Sequence, residues 1–128
     1  MAKILIVDDD AEFARSMAIV LEQAGHQTVF ASSGQEGIAA AKLEKPDLML
    51  LDVMMTTDSE GFEIARQLHE DANTSHLPVI IVSGIRRAKS LPFGFEPDED
   101  WLPVQAVLDK PVKPEVLLAS VEKALGRR

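Results

Sequence analysis

Asp47-Leu48-Met49-Leu50-Leu51-Asp52 is the stretch that decides how this chain folds. Its apolar residues run without a break, so the segment shows neither the alternation of a half-buried strand nor the spacing of an amphipathic helix. Both of its faces must be covered, as in a central strand of a parallel sheet with helices above and below. A similar run, Ile4-Leu5-Ile6-Val7, ends in Asp8-Asp9-Asp10. Side by side, the two strands bring Asp52 close to the early acids. Anionic groups share a small site only where a cation, a proton or a basic residue neutralises them. The pattern points to a site for a divalent metal.

Outward from these runs, short apolar segments alternate with helix-period segments, which reads as successive βα units. The first strand covers about 3–7, and a helix follows from Ala11 to Ala24, with Phe13, Met17, Val20, Leu21 and Ala24 on one face and Gly25 as its stop. A strand from Gln27 to Ala31 leads to a helix opened by the capping box Ser33 and Glu36 and barred by Pro46. The central strand, 47–52, is followed by a helix over roughly 60–70 and a strand over Pro78–Ser83. The last strand is Gln105–Asp109, and the last helix opens at Pro114, places Leu117, Leu118, Val121 and Leu125 at core spacing and ends at Gly126. Residues 86–104 break the rhythm: Pro92, Pro97 and Pro103 forbid a long regular helix, and a single short turn fits near Arg86–Leu91.

With 128 residues the expectation is a single domain, 1–128, with a full core. Hydrophobic residues make up 46% and charged residues 27%, as in an ordinary globular protein. A formal charge of −8 argues against nonspecific nucleic-acid binding, which needs clustered cations. There is no cysteine, so disulfides and thiolate metal sites are excluded. No apolar run approaches the roughly 20 residues needed to span a bilayer, and Met1-Ala2-Lys3 enters a strand without a signal peptide. The expectation is a cytoplasmic protein without membrane or nucleic-acid partners. The start at Met1 and the full last helix favour a complete single-domain protein. His26, His69 and His76 are scattered without metal-ligand spacing and read as residues of surfaces or helix ends.

In open parallel sheets, ligands sit at the carboxyl ends of the strands. Four strand ends here carry Asp8 and Asp9, Asp52, Ser83 and Lys110. Taken singly, each has an ordinary structural role: an acid caps a helix, a Ser before Gly84 makes a turn, a Lys before Pro111 is solvated. Together they suit phosphoryl transfer. Hard oxygen ligands fit Mg2+, and a metal with an ammonium offsets charge on phosphoryl oxygens. Asp52 is a candidate nucleophile, since carboxylates form acyl phosphates. Ser83 could donate to the phosphoryl group, and Lys110 could bind it as a point charge.

Four stretches carry a family resemblance: Ile4-Leu5-Ile6-Val7-Asp8-Asp9, Pro46 through Met55, Pro78-Val79-Ile80-Ile81-Val82-Ser83-Gly84, and Lys110-Pro111-Val112. In this order and at these intervals, the chain resembles the receiver domain of two-component response regulators over essentially its whole length. The resemblance implies an α/β fold with a doubly wound five-stranded parallel sheet, the flavodoxin-like (βα)5 arrangement, with the fourth helix shortened or replaced by irregular chain. It makes Asp52 the phosphoacceptor and Asp8 and Asp9 the acidic pair that binds Mg2+. It assigns the backbone carbonyl of Met54 as a further metal ligand, Ser83 as the switch hydroxyl and Lys110 as the family's lysine. The implied phosphodonor is a histidine kinase or a histidine phosphotransfer protein. The downstream target is a protein of unknown identity. The chain would not be an enzyme acting on other substrates, but would catalyse its own phosphorylation and slow autodephosphorylation.

The chain departs from the family in three places. Thr56-Thr57-Asp58-Ser59-Glu60-Gly61 is about one residue longer than the usual turn after the phosphoacceptor. Val107 stands where the family carries an aromatic switch residue, and valine has no ring to swing. Residues 86–104 replace the fourth helix and hold Phe93, Phe95 and Trp101 among acids, either as core cover or as a rebuilt docking surface. A constitutive, non-switched interaction module is therefore the alternative reading. An aspartate-nucleophile phosphatase would need an acid at Met54, and a flavin-binding module would not place Asp8-Asp9-Asp10 at its phosphate loop.

Overall fold

The computed structural model describes residues 2–52, 60–72, 74–83, 106–109 and 112–126. The expectations for Met54, Lys110, the turn at 56–59 and the irregular stretch 86–104 lie outside these residues. In chain order the elements are β1 (Lys3–Val7), α1 (Ala11–Gln23), β2 (Gln27–Ala31), α2 (Gly34–Glu44), β3 (Leu48–Asp52), α3 (Glu60–Glu70), β4 (Val79–Ser83), β5 (Ala106–Asp109) and a C-terminal helix (Pro114–Ala124). The strands form one parallel sheet in the order β2-β1-β3-β4-β5. This is the expected flavodoxin-like, doubly wound α/β fold, and its strand order reverses between β1 and β3.

The two unbroken apolar runs became the sheet's interior strands because helices cover both faces. Along β1, β3 and β4 the side chains alternate: Leu5, Val7, Met49, Leu51, Val79 and Ile81 pack with Ala41, Ile64 and Leu68 from α2 and α3. Ile4, Ile6, Leu48, Leu50, Ile80 and Val82 pack on the opposite side with Ala14, Met17 and Leu21 from α1 and Leu117 and Val121 from the C-terminal helix. All five residues of β3 are buried, as the lack of periodicity required.

Local signals set the ends of the elements. Asp10 caps α1, its carboxylate accepting from the N–H groups of Glu12 and Phe13. Gly25 ends that helix at φ 99°, a left-handed conformation that glycine adopts without a steric penalty. The box expected at α2 is only half formed. Glu36 N–H donates to Ser33 Oγ at 3.2 Å, but the Glu36 carboxylate takes the Ser32 N–H at 3.0 Å and the Ser32 hydroxyl at 2.9 Å. Those two hydrogen bonds hold the Glu36 carboxyl below its ordinary value. Small residues let α2 approach the sheet: a Cβ added at Gly37 would lie 2.8 Å from Val7 Cγ2.

The histidines are expected on surfaces or at helix ends, and His26, which follows α1 with its N–H on Leu21 O at 3.0 Å, is a buried helix end rather than a surface residue. His69 and His76 are exposed, but His26 is buried at 5% exposure. Its Nδ1 accepts the Ala2 N–H at 3.1 Å, and its Nε2 lies 3.3 Å from Glu122 Oε2. The ring thus ties the start of β1 to the C-terminal helix. An accepting Nδ1 carries no proton, so Nε2 is the N–H facing the carboxylate.

Candidate functional site

The pairing register of the two apolar strands builds the site. Ile4 through Val7 lie opposite Leu48 through Leu51, and the next residues along the two segments are Asp8 and Asp52. Neighbouring strands are about 4.8 Å apart, so carboxylates at adjacent strand ends fall within reach of one ion. The alternation that sends Ile4 and Ile6 with Leu48 and Leu50 towards α1 places Asp8 and Asp52 on that same side. The crevice is the one between β1 and β3, where the strand order reverses and ligands of such sheets bind.

Asp8, Asp9 and Asp52 each offer a carboxylate oxygen, and these atoms lie within 4.8 Å of one another. Asp8 is 5% and Asp52 3% exposed, while Asp9 is open to solvent. Acids normally stay in water, and two carboxylates sunk at one strand junction with a third at the rim are an arrangement that needs a reason. The backbone fixes Asp8 further: its N–H donates to Ala31 O at 3.0 Å, and its Oδ1 accepts the Asp10 N–H at 2.8 Å. Asp10 itself is turned away to cap α1, which separates its role from that of its two neighbours.

An all-oxygen, anionic donor set fits a hard divalent cation, and Mg2+ is held by one or two carboxylates while keeping several waters. Asp8, Asp9 and Asp52 would hold it. Ser83 ends β4 beside β3, where Asp52 is paired with Val82 and Ser83 with Asp109. Lys110 and Met54 follow the ends of β5 and β3 in the chain and lie outside the described residues. The described residues thus unite three of the six expected site residues, Asp8, Asp9 and Asp52, and set the backbone of a fourth, Ser83, at the adjacent strand end.

Comparison with known proteins agrees with the fold. The model of the response regulator receiver domain family matches residues 4–122. Protein PilH of Pseudomonas aeruginosa is 40% identical over 129 residues, covering 98% of this chain and 99% of PilH. The phosphate regulon transcriptional regulatory protein PhoB of the same organism is 35% identical, but this chain spans only 52% of its length. Among solved structures, a CheY-like receiver domain protein from Methanospirillum hungatei superposes with a TM-score of 0.81 at 28% identity, covering 98% of this chain and 94% of the other. The chemotaxis response regulator CheY4 of Vibrio cholerae gives a TM-score of 0.81 at 25% identity, covering 97% and 98%.

Proposed function

Since the chain belongs to the response regulator receiver domain family of two-component systems, we propose that it is a phosphorylation-dependent signalling switch with Asp52 as phosphoacceptor. The observation that carries this reading is the convergence of Asp8, Asp9 and Asp52 at the β1–β3 junction. A carboxylate oxygen of Asp52 attacks the phosphorus of a phosphohistidine on a histidine kinase or histidine phosphotransfer protein. The P–N bond breaks as the O–P bond forms, and the imidazole leaves with the electron pair and takes up a proton. Asp52 then carries an acyl phosphate.

Bound Mg2+ supplies positive charge that offsets the phosphoryl oxygens during transfer. Asp8 and Asp9 would hold it, with Asp52 and, as the family resemblance implies, the Met54 backbone carbonyl as further ligands. Lys110 adds a point charge to the phosphoryl group, and Ser83 donates a hydrogen bond to it and moves with it. The new charge biases a two-state surface read by a protein partner. No helix among the described residues is long and apolar enough to cross a membrane.

Val107 in β5 favours a second reading, a constitutive module that binds partners without switching, because the aromatic relay of the family is missing there. Intact-mass spectrometry after incubation with acetyl phosphate and Mg2+ separates the two. One phosphoryl adduct on the parent chain and none on Asp52→Asn supports the switch. No adduct from acetyl phosphate, nor from a panel of phosphorylated kinases, refutes it.

A further inference from the structure

We propose that the pole of the sheet opposite Asp52 holds a second ligand site, for a small amphipathic anion such as an aryl or alkyl carboxylate, sulfonate or phosphate. A cavity of about 920 Å3 opens there, at the amino ends of β1, β3 and β4. Ligand pockets are typically about 300–1,000 Å3. Five-residue strands put this pole about 15 Å from the carboxylates. The cavity therefore shares nothing with the phosphoacceptor site, and the proposal stands independently of that function.

Its walls are of two kinds. Buried Ala2, Pro46 and Leu77, with partly buried Pro78 and Leu125, give an apolar floor. The rim carries Lys42, Lys45 and His76 against a single lining acid, Asp47. Asp71 pairs with Lys42 at 3.0 Å, so the two offset each other, while Asp47 Oδ2 accepts the neutral Lys3 backbone N–H at 2.9 Å and keeps its charge. Among the described residues, no carboxylate pairs with the Lys45 ammonium. Lys45 is also held in the left-handed region at φ 51°, ψ 58°, between the end of α2 and Pro46, which fixes where its side chain leaves the backbone. With Lys42 paired to Asp71, the Lys45 ammonium beside the apolar floor is the group that would favour an anion with an apolar body.

The pocket touches the end of α2, the connection into β4 and the end of the C-terminal helix, close to the His26–Glu122 link. An occupant there bridges elements that belong to both faces of the sheet.

The probe is 8-anilinonaphthalene-1-sulfonate, titrated into the full folded chain by fluorescence, with amide shifts read by NMR. One saturable site is expected, with shifts at Lys45, His76, Leu77 and Leu125. Lys45→Glu should weaken binding about tenfold and Lys45→Gln less, and added salt should weaken it too. His76→Glu adds a negative charge at an exposed residue of the same rim should Lys45→Glu fail to fold. Absence of saturable binding overturns the proposal. So does equal affinity in the folded glutamate variants, or shifts confined to the groove between α1 and β2 where Ile19 and Phe30 are exposed.

Discussion

Replacing Gly37 by alanine sets two known effects against each other, and the structure fixes which one wins. In a helix interior alanine is favoured over glycine by about 1 kcal/mol. Here the added Cβ would lie 2.8 Å from Val7 Cγ2 and 3.2 Å from Val7 Cγ1. Val7 is β-branched and fully buried, so it has no free rotamer to retreat into. Overpacking of this kind costs about 1–3 kcal/mol. The net expectation is a loss of roughly 0–2 kcal/mol on Gly37→Ala, measured by urea unfolding at unchanged slope. The sharper test is the cycle with Val7→Ala, which removes both offending carbons. That variant alone should lose about 2 kcal/mol or more from transfer and cavity terms. In its background Gly37→Ala should stabilise by about 1 kcal/mol, because only the propensity gain remains. Val7 directly precedes Asp8, so Gly37→Ala should also weaken Mg2+ binding, and the Val7→Ala background should relieve that loss. If Gly37→Ala stabilises both backgrounds equally, the close packing of α2 on β1 is not what excludes a side chain at this position.

Asp9→Ala should weaken Mg2+ by at least about tenfold in calorimetry, as expected for loss of a charged ligand, and an unchanged affinity would remove Asp9 from the donor set. Asp10→Ala should cost about 1 kcal/mol of stability as a lost helix cap yet leave Mg2+ affinity in place, since its carboxylate serves the α1 N–H groups. Glu36 contributes stability above its ordinary value of 4.5 that is lost as pH falls through its depressed folded value. Ser32→Ala should raise its NMR titration only part of the way to 4.5, because the Ser32 backbone N–H, the larger cause, remains. His26→Ala should cost about 2 kcal/mol, orphaning the buried Ala2 N–H, and a loss below about 0.5 kcal/mol would contradict its bridging role.

Much of this was legible before any coordinates. The unbroken run at 48–51 required a strand covered on both faces, and β3 is buried at every residue. Asp10, Gly25 and Pro114 marked helix ends through local chemistry that needs no tertiary partner. The acids at 8, 9 and 52 could be paired on paper because neighbouring parallel strands put their ends side by side. His26 could not: nothing in Gly25-His26-Gln27 records that a carboxylate 96 positions later turns towards the ring. The Glu36 partner was off by one residue for a related reason, as a carboxylate takes whichever donors the turn presents, and here both come from Ser32.

What the sequence determined by itself is the alternation of elements, the burial of the two acid-tipped strands and the chemical character of their ends. These follow from periodicity, caps and composition, which act within a few residues. The tertiary structure alone decided the burial of His26 against the C-terminal helix and the cavity at the far pole, and it set the distance, within 4.8 Å, at which Asp8, Asp9 and Asp52 meet. Each depends on groups far apart in the chain meeting at one register. Such meetings are set by the joint packing of both faces of the sheet.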